Sequence, residues 1–173
     1  MSRRLLDEIC EYAGEIRQNG QTLMQTPWVR NLVADRYIET EVARLMAYNV
    51  AYMQGEGLVP NKEASMSKVF GSETLQRTTV AGMEILGMYG ALGRDEKWAP
   101  LSGRMQEHWM IAFSHKIAAG TSEVQRNIIA GRGLGLVLRR SHISWLAPPG
   151  GQGIGAGTCP TQRRNNSRPS PRD

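Results

Sequence analysis

The strongest indication of the fold lies in residues 26–53, which read TPWVRNLVADRYIETEVARLMAYNVAYM. This segment opens on Thr26-Pro27, and proline suits the first turn of a helix because that turn does not need its missing amide hydrogen. The apolar residues then recur every three or four positions, which is the period of an α-helix. They are Val29, Leu32, Val33, Ile38, Val42, Leu45, Met46, Val50 and Met53. The segment therefore predicts a helix much longer than the average one.

The same helical period continues on both sides of this segment, and no useful stretch alternates as a strand does. Long helices joined by short loops predict an all-α, up-and-down helical bundle over residues 1–138. The other predicted helices run roughly over Ser2–Gln18, Asn61–Gly87, Ser102–Ala118 and on to Arg132, with a loop at Ala91–Leu101.

The net charge of +5 belongs to the C-terminal end of the chain. Residues 139–173 contain six arginines and one acidic residue, so residues 1–138 are neutral overall. This distribution argues against a nucleic-acid surface on the bundle. The tail is rich in glycine and proline and is predicted to be disordered, because it buries too little apolar surface to offset the entropy of ordering. A basic arm that binds RNA or acidic lipid is the minor alternative for this tail.

Neither a membrane segment nor a metal site is predicted. No apolar run approaches the length that spans a bilayer, and the N-terminal sequence is unlike a secretory signal. Cys10 and Cys159 lie far apart in the sequence, so we expect reduced thiols and a cytoplasmic location. His108 and His115 share a helix face, but a metal site needs more ligands than two.

The last helix of the bundle has a clear start signal. Gly120 makes a turn, Thr121 or Ser122 supplies a hydroxyl cap, and Glu123 places an acid in the first turn. The free backbone amides of such a start suit a phosphate, a carboxylate or a polarised carbonyl.

Four sequence motifs together resemble the acyl-CoA dehydrogenase family. Residues 120–130, GTSEVQRNIIA, closely resemble the family's C-terminal signature. Residues 29–45 look like its second C-terminal helix, residues 62–70, KEASMSKVF, like its Ala-Ser-x-x-Lys helix, and residues 84–90, EILGMYG, like the turn that follows. The resemblance covers roughly residues 5–136. Within the family, the motifs of this chain are similar to those of bacterial members that act on bulky, ring-bearing or dicarboxylic acyl-CoAs.

The resemblance implies an FAD-dependent enzyme that converts an acyl-CoA to the 2,3-enoyl-CoA. Family members have an N-terminal helical domain, a middle β-domain and a C-terminal helical bundle, so this chain looks like the bundle alone. It would supply flavin contacts and the interface of a homo- or hetero-oligomer, with an electron-transfer flavoprotein-type acceptor as partner. The alternative is a non-catalytic helical subunit, or a truncated remnant, that assembles with a full-length dehydrogenase.

The resemblance also assigns expected site residues. The flavin-contacting start of the last helix corresponds to Thr121, Ser122 and Glu123, which otherwise form an ordinary helix cap. A cofactor-contacting turn corresponds to Glu84 and Gly87, although a plain helix stop explains Gly87 equally well. Gly120 matches a position near the substrate carbonyl.

Two positions depart from the family's pattern. Ile16 stands where many members hold the FAD pyrophosphate with arginine, and Arg17 is the candidate substitute although a helix would point it to a different face. Ala119 stands where many members place the catalytic glutamate, and a methyl group cannot accept a proton. Other members carry the base on the first bundle helix, upstream of this chain, so the sequence names no catalytic residue. Trp109 and Phe113, one helical turn apart, are expected in the core.

Overall fold

The computed structural model describes residues 1–136 and confirms the all-α bundle over that part of the chain. Its α-helices follow one another with short connections. They are α1 Ser2–Glu15, α2 Pro27–Gly55, α3 Asn61–Leu86, α4 Arg104–Ile117 and α5 Ser122–Ile128. The predicted disorder of residues 139–173 and the alternative role of that tail as a basic arm lie outside the described residues.

A short hairpin separates α1 from α2 and shortens the first predicted helix by three residues. Its strands β1, Arg17–Gln18, and β2, Gln21–Thr22, pair antiparallel. Asn19 and Gly20 both have positive φ, 52° and 81°, which is the conformation of a two-residue hairpin turn. Arg17 therefore lies on a strand, and the expectation that it sits on a helix face is wrong.

Helix α3 is the centre of the bundle and packs against the other four helices. Its buried positions are spread around the helix, as expected for a helix enclosed by neighbours. The hydroxyl of buried Thr78 donates to the carbonyl of Thr74 at 2.8 Å, and that of Thr79 donates to the carbonyl of Gln76 at 2.8 Å. These local hydrogen bonds satisfy polar groups that would otherwise be costly to bury.

Helices α1, α3 and α4 meet at Gly82. A Cβ at Gly82 would lie 2.5 Å from the sulfur of Met105 and 3.0 Å from Cδ1 of Ile9. Both neighbours are buried in the core. The missing side chain therefore sets how closely the three helices approach.

The connection from α3 to α4 begins and ends with short 3₁₀-helices, Gly87–Ala91 and Pro100–Gly103. Helix α4 starts at Arg104, two residues later than the sequence predicts, because Leu101 and Ser102 have left-handed φ values of 52° and 53°. Gly103, with φ 70°, lies so close to the backbone of residues 93 and 94 that a Cβ would not fit.

Several predicted apolar positions are not covered by this chain. On α2, Ile38 is 62% exposed and Leu45 is 59% exposed. Phe113 is 44% exposed, so its predicted place in the core is wrong, although its ring still packs edge-on against Trp109 with centroids 5.3 Å apart. Within residues 1–136 none of the helices combines the length and the hydropathy needed to cross a membrane.

Candidate functional site

The candidate site is built on the turn between α4 and α5. Ala118 is extended, and Ala119 and Gly120 then take positive φ values of 56° and 91°. A left-handed alanine is strained by about 1–2 kcal/mol, so its surroundings must hold it in place. One such contact is visible, because the side-chain amide of Gln125 donates to the carbonyl of Ala119 at 2.9 Å.

The start of α5 is capped by its own residues. The hydroxyl of Thr121 accepts the amide hydrogen of Val124 at 3.3 Å, which identifies Thr121 rather than Ser122 as the cap. The backbone amide of Glu123 and the hydroxyl of Thr121 hold the pKa of the Glu123 carboxyl below its usual range. Glu123 therefore keeps a negative charge at the helix start, and this charge disfavours the phosphate or carboxylate that the sequence suggests for this place.

An open cleft of about 320 Å³ lies beside this helix start. Phe113 and Ile117 give it apolar walls, while Lys116 and Glu123 contribute opposite charges. The remaining lining residues are Gln76, Thr121 and Ser122. The cleft is thus neutral overall, partly apolar and partly polar, which suits a flat uncharged group with hydrogen-bonding edges.

Ser122 is the least satisfied polar residue of this cleft. It is only 2% exposed, and its hydroxyl has no hydrogen-bond partner among the described residues. Buried polar groups in folded proteins nearly always have a partner, so the orphaned hydroxyl of this cleft-lining residue could bond a ligand or a water molecule that packs against it.

Lys68 of α3 is the lysine of the Ala-Ser-x-x-Lys motif; it does not line the cleft, but it contacts the turn beside it, a role that sequence reasoning missed. Its ammonium group donates to the carbonyl of Gly120 at 2.6 Å and to the carbonyl of Lys116 at 3.3 Å. The motif marks this lysine but not its partners, and the sequence shows only that no acidic residue lies three or four positions away to pair with it.

A second groove, of about 260 Å³, lies between α2 and α3 and contains the exposed side chain of Glu84. Gln76 lines both the groove and the cleft. Arg36 lines the groove as well, and its Nε is buried without a partner among the described residues. Gly87 ends α3 with φ 58°, as a helix stop would, and lines neither cavity.

The structure therefore brings some predicted site residues together and separates others. The cleft and its turn collect Gly120, Thr121, Ser122 and Glu123, whereas Glu84 belongs to the groove. Arg17 is exposed on β1 and lines neither cavity.

Among the described residues, His108, His115 and Cys10 line neither the cleft nor the groove. His115 is exposed, and His108 has a buried Nδ1 without a described partner. Residues 1–136 contain no group of three His, Cys, Asp or Glu side chains placed to hold a metal. Cys10 is a free thiol whose pKa is raised by burial, while Cys159 lies outside the described residues.

Comparison with known proteins assigns the family. Residues 1–134 match the family model of the acyl-CoA dehydrogenase C-terminal domain. The chain therefore belongs to the acyl-CoA dehydrogenase family and contains its C-terminal helical domain, as the four sequence motifs predict.

Individual relatives agree with this assignment. Acyl-CoA dehydrogenase FadE26 of Mycobacterium tuberculosis is 32% identical over 136 residues, which cover 76% of this chain and 34% of that protein. The caffeyl-CoA reductase-Etf complex subunit CarC of Acetobacterium woodii is 29% identical over 126 residues, which cover 73% and 31%. In the ChsE4-ChsE5 complex from Mycobacterium tuberculosis, one chain matches with a TM-score of 0.74 and 31% identity, over 79% of this chain and 35% of that one. The chain spans about a third of the length of these relatives.

Proposed function

We propose that this chain is the C-terminal part of an FAD-dependent acyl-CoA dehydrogenase and that its cleft at the start of α5 contacts the flavin. The observation that carries the proposal is the buried, unpartnered hydroxyl of Ser122 on the wall of a neutral cleft, at the place where the family resemblance puts a flavin contact. In the intact enzyme the bundle would also supply the oligomer interface.

The residues of the cleft fit an uncharged flavin ring better than a phosphate. The Ser122 hydroxyl can donate to, or accept from, a polar ring edge or a ribityl hydroxyl. Phe113 and Ile117 can pack against the apolar ring surface and exclude water, and Lys116 can donate to a ring carbonyl. The Glu123 charge argues against placing the pyrophosphate here. When bound, FAD supplies the oxidising chemistry, accepting a hydride from the acyl β-carbon.

Ala119 cannot accept the proton that the proposed reaction removes from the acyl α-carbon. Its side chain is a methyl group, so the base of the proposed reaction must be a residue elsewhere in the assembled enzyme. Gly120 remains the proposed neighbour of the substrate carbonyl, next to the strained turn. Three other residues remain proposed cofactor contacts: Glu84, Gly87 and Arg17. They would contact the distal half of an FAD molecule that is bound in a partner subunit's site and not in this cleft.

The substrate and the electron acceptor are proposed at the level of class. The Acetobacterium relative is a subunit of a caffeyl-CoA reductase-Etf complex. Caffeyl-CoA carries an aromatic ring, which supports a bulky or ring-bearing acyl-CoA as substrate. The same name supports an electron-transfer flavoprotein-type acceptor for the intact enzyme.

A second candidate function is a non-catalytic subunit that assembles with a full-length dehydrogenase. Ala119 supports it, because the position that holds the base in many members cannot act as one. The exposed apolar residues Ile38 and Leu45 of α2 support it too, since such a surface suits a permanent partner. Co-purification of this chain with a yellow flavoprotein larger than itself would favour this candidate.

Titration of the purified chain with FAD, followed by flavin fluorescence, tests the proposed flavin contact. We expect saturable quenching by the wild-type chain and roughly fivefold weaker binding by Ser122→Ala, because about 1 kcal/mol is typical of one hydrogen bond. Ser114→Ala is the matched control: Ser114 is exposed on α4 and its hydroxyl bonds its own helix at 2.7 Å. Equal affinities for the wild type and both variants would remove Ser122 from the flavin contact.

A further inference from the structure

We propose that Lys68 is a positioning residue that holds the turn between α4 and α5 in the geometry the cleft requires. The structural part of this inference stands on the hydrogen bonds of Lys68 alone. Its consequence for flavin binding rests on the proposed function.

The contacts of Lys68 are long-range and charge-assisted. They join positions 48 and 52 residues apart in the sequence, from the middle of the bundle to its last turn. The side chain is partly buried, and it makes none of the ion pairs found within residues 1–136. Its positive charge therefore interacts with backbone carbonyls, and hydrogen bonds from a charged donor are stronger than hydrogen bonds between neutral groups.

The two carbonyls belong to the two sides of the turn. The carbonyl of Lys116 is in the last turn of α4, where helix carbonyls lack partners and the helix dipole favours a positive charge. The carbonyl of Gly120 comes immediately before the Thr121 cap of α5. One ammonium group thus bridges the end of one helix and the start of the next.

The residues between these carbonyls need such a bridge. Ala119 has φ 56° and Gly120 has φ 91°, so an unsupported turn would relax towards a less strained conformation. Gln125 holds the carbonyl of Ala119 from the α5 side, and Lys68 holds the carbonyl of Gly120 from the α3 side. We infer that these two side chains together fix the backbone conformation of the turn, and with it the positions of Ala119, Thr121 and Ser122.

Hydrogen–deuterium exchange of the apo chain tests the bridge. We expect the amides of residues 118–125 to exchange about tenfold faster in Lys68→Met than in the wild type, because loss of a charge-assisted hydrogen bond is worth about one order of magnitude. Lys68→Arg keeps a charged donor and should recover most of the protection. Lys97→Met is the control, because Lys97 is exposed in the connection before α4 and stacks on Trp98.

Two outcomes would overturn the inference. One is unchanged exchange at residues 118–125 in Lys68→Met. The other is an equal rise of exchange in α1, which would show that Lys68 stabilises the whole bundle and does not position this turn.

Addition of FAD separates this inference from the proposed function. If the Lys68 bridge and the flavin contact both hold, Lys68→Met weakens FAD binding at least fivefold and Lys68→Arg restores it. A lysine that only stabilises the fold would not produce this effect when the variants are compared at equal folded fraction. If the wild-type chain gains no protection at residues 118–125 from FAD, the proposed function fails for this chain, while the apo exchange data still decide the role of Lys68.

Discussion

At the scale of single residues, the candidate site depends on a few polar groups around one turn. The sequence predicts the hydroxyl cap and the acid of the first turn because these are local features, whereas the missing base at position 119 is implied by the family resemblance alone. It does not predict the burial of Ser122 or the bridge from Lys68, because both depend on which helices meet at the turn. Sequence separation of about fifty residues carries no local signal for such a contact.

Glu123 gives a pH-dependent test at this scale. Its carboxyl pKa is lowered in the folded state, so its contribution to stability is complete above the ordinary pKa of an unfolded glutamate and is lost as the pH falls through the folded pKa. We expect Glu123→Gln to lose this contribution, so that the variant is less stable than the wild type above pH 6 and the difference shrinks as the pH falls. Urea unfolding between pH 3 and 7 measures this, and an unchanged acid-side slope in the variant would contradict the assignment.

At the scale of elements, the fold follows from the helical period and the departures follow from local turn chemistry. The lengths of α2 and α3 agree with the predicted helices to within a few residues. The sequence contains one signal for the hairpin, because Asn19-Gly20 favours a two-residue turn. The strands are not predicted because four residues are too few to show alternation. The late start of α4 depends on left-handed residues that no sequence rule favours at Leu101 and Ser102.

The contact of three helices at Gly82 gives a test of packing at this scale. Gly82→Ala should lower the free energy of unfolding by about 1–3 kcal/mol, because its Cβ would overlap the buried side chain of Met105. Gly71→Ala in the same helix is the control: a Cβ at Gly71 meets nothing within 4 Å and should raise stability by about 0.5–1 kcal/mol. Chemical denaturation measures both, and equal effects of the two variants would contradict the close helix approach.

At the scale of the whole molecule, the periodicity of α2 predicts an apolar stripe but not its partner. The structure leaves Ile38 and Leu45 of that stripe exposed, and an exposed apolar stripe is a surface that suits a partner. The chain spans about a third of the length of these relatives.

The exposed apolar stripe of α2 predicts that the purified chain self-associates. The double variant Ile38→Glu with Leu45→Glu should shift the protein towards monomer and reduce the binding of an apolar dye, because charges oppose burial of that helix face. Met88→Glu, at a residue that is 90% exposed on the turn after α3, is the control. Size-exclusion chromatography with light scattering measures the outcome, and a monomeric wild-type chain without dye binding would refute the prediction.

Mapping of FAD onto the isotope-labelled chain by NMR tests whether the start of α5 forms one wall of a flavin site. We expect chemical shifts to change at Gln76, Phe113 and residues 120–123, and to stay unchanged on the outer face of α1. No shift changes at saturating FAD, or changes confined to residues away from the cleft, would contradict it.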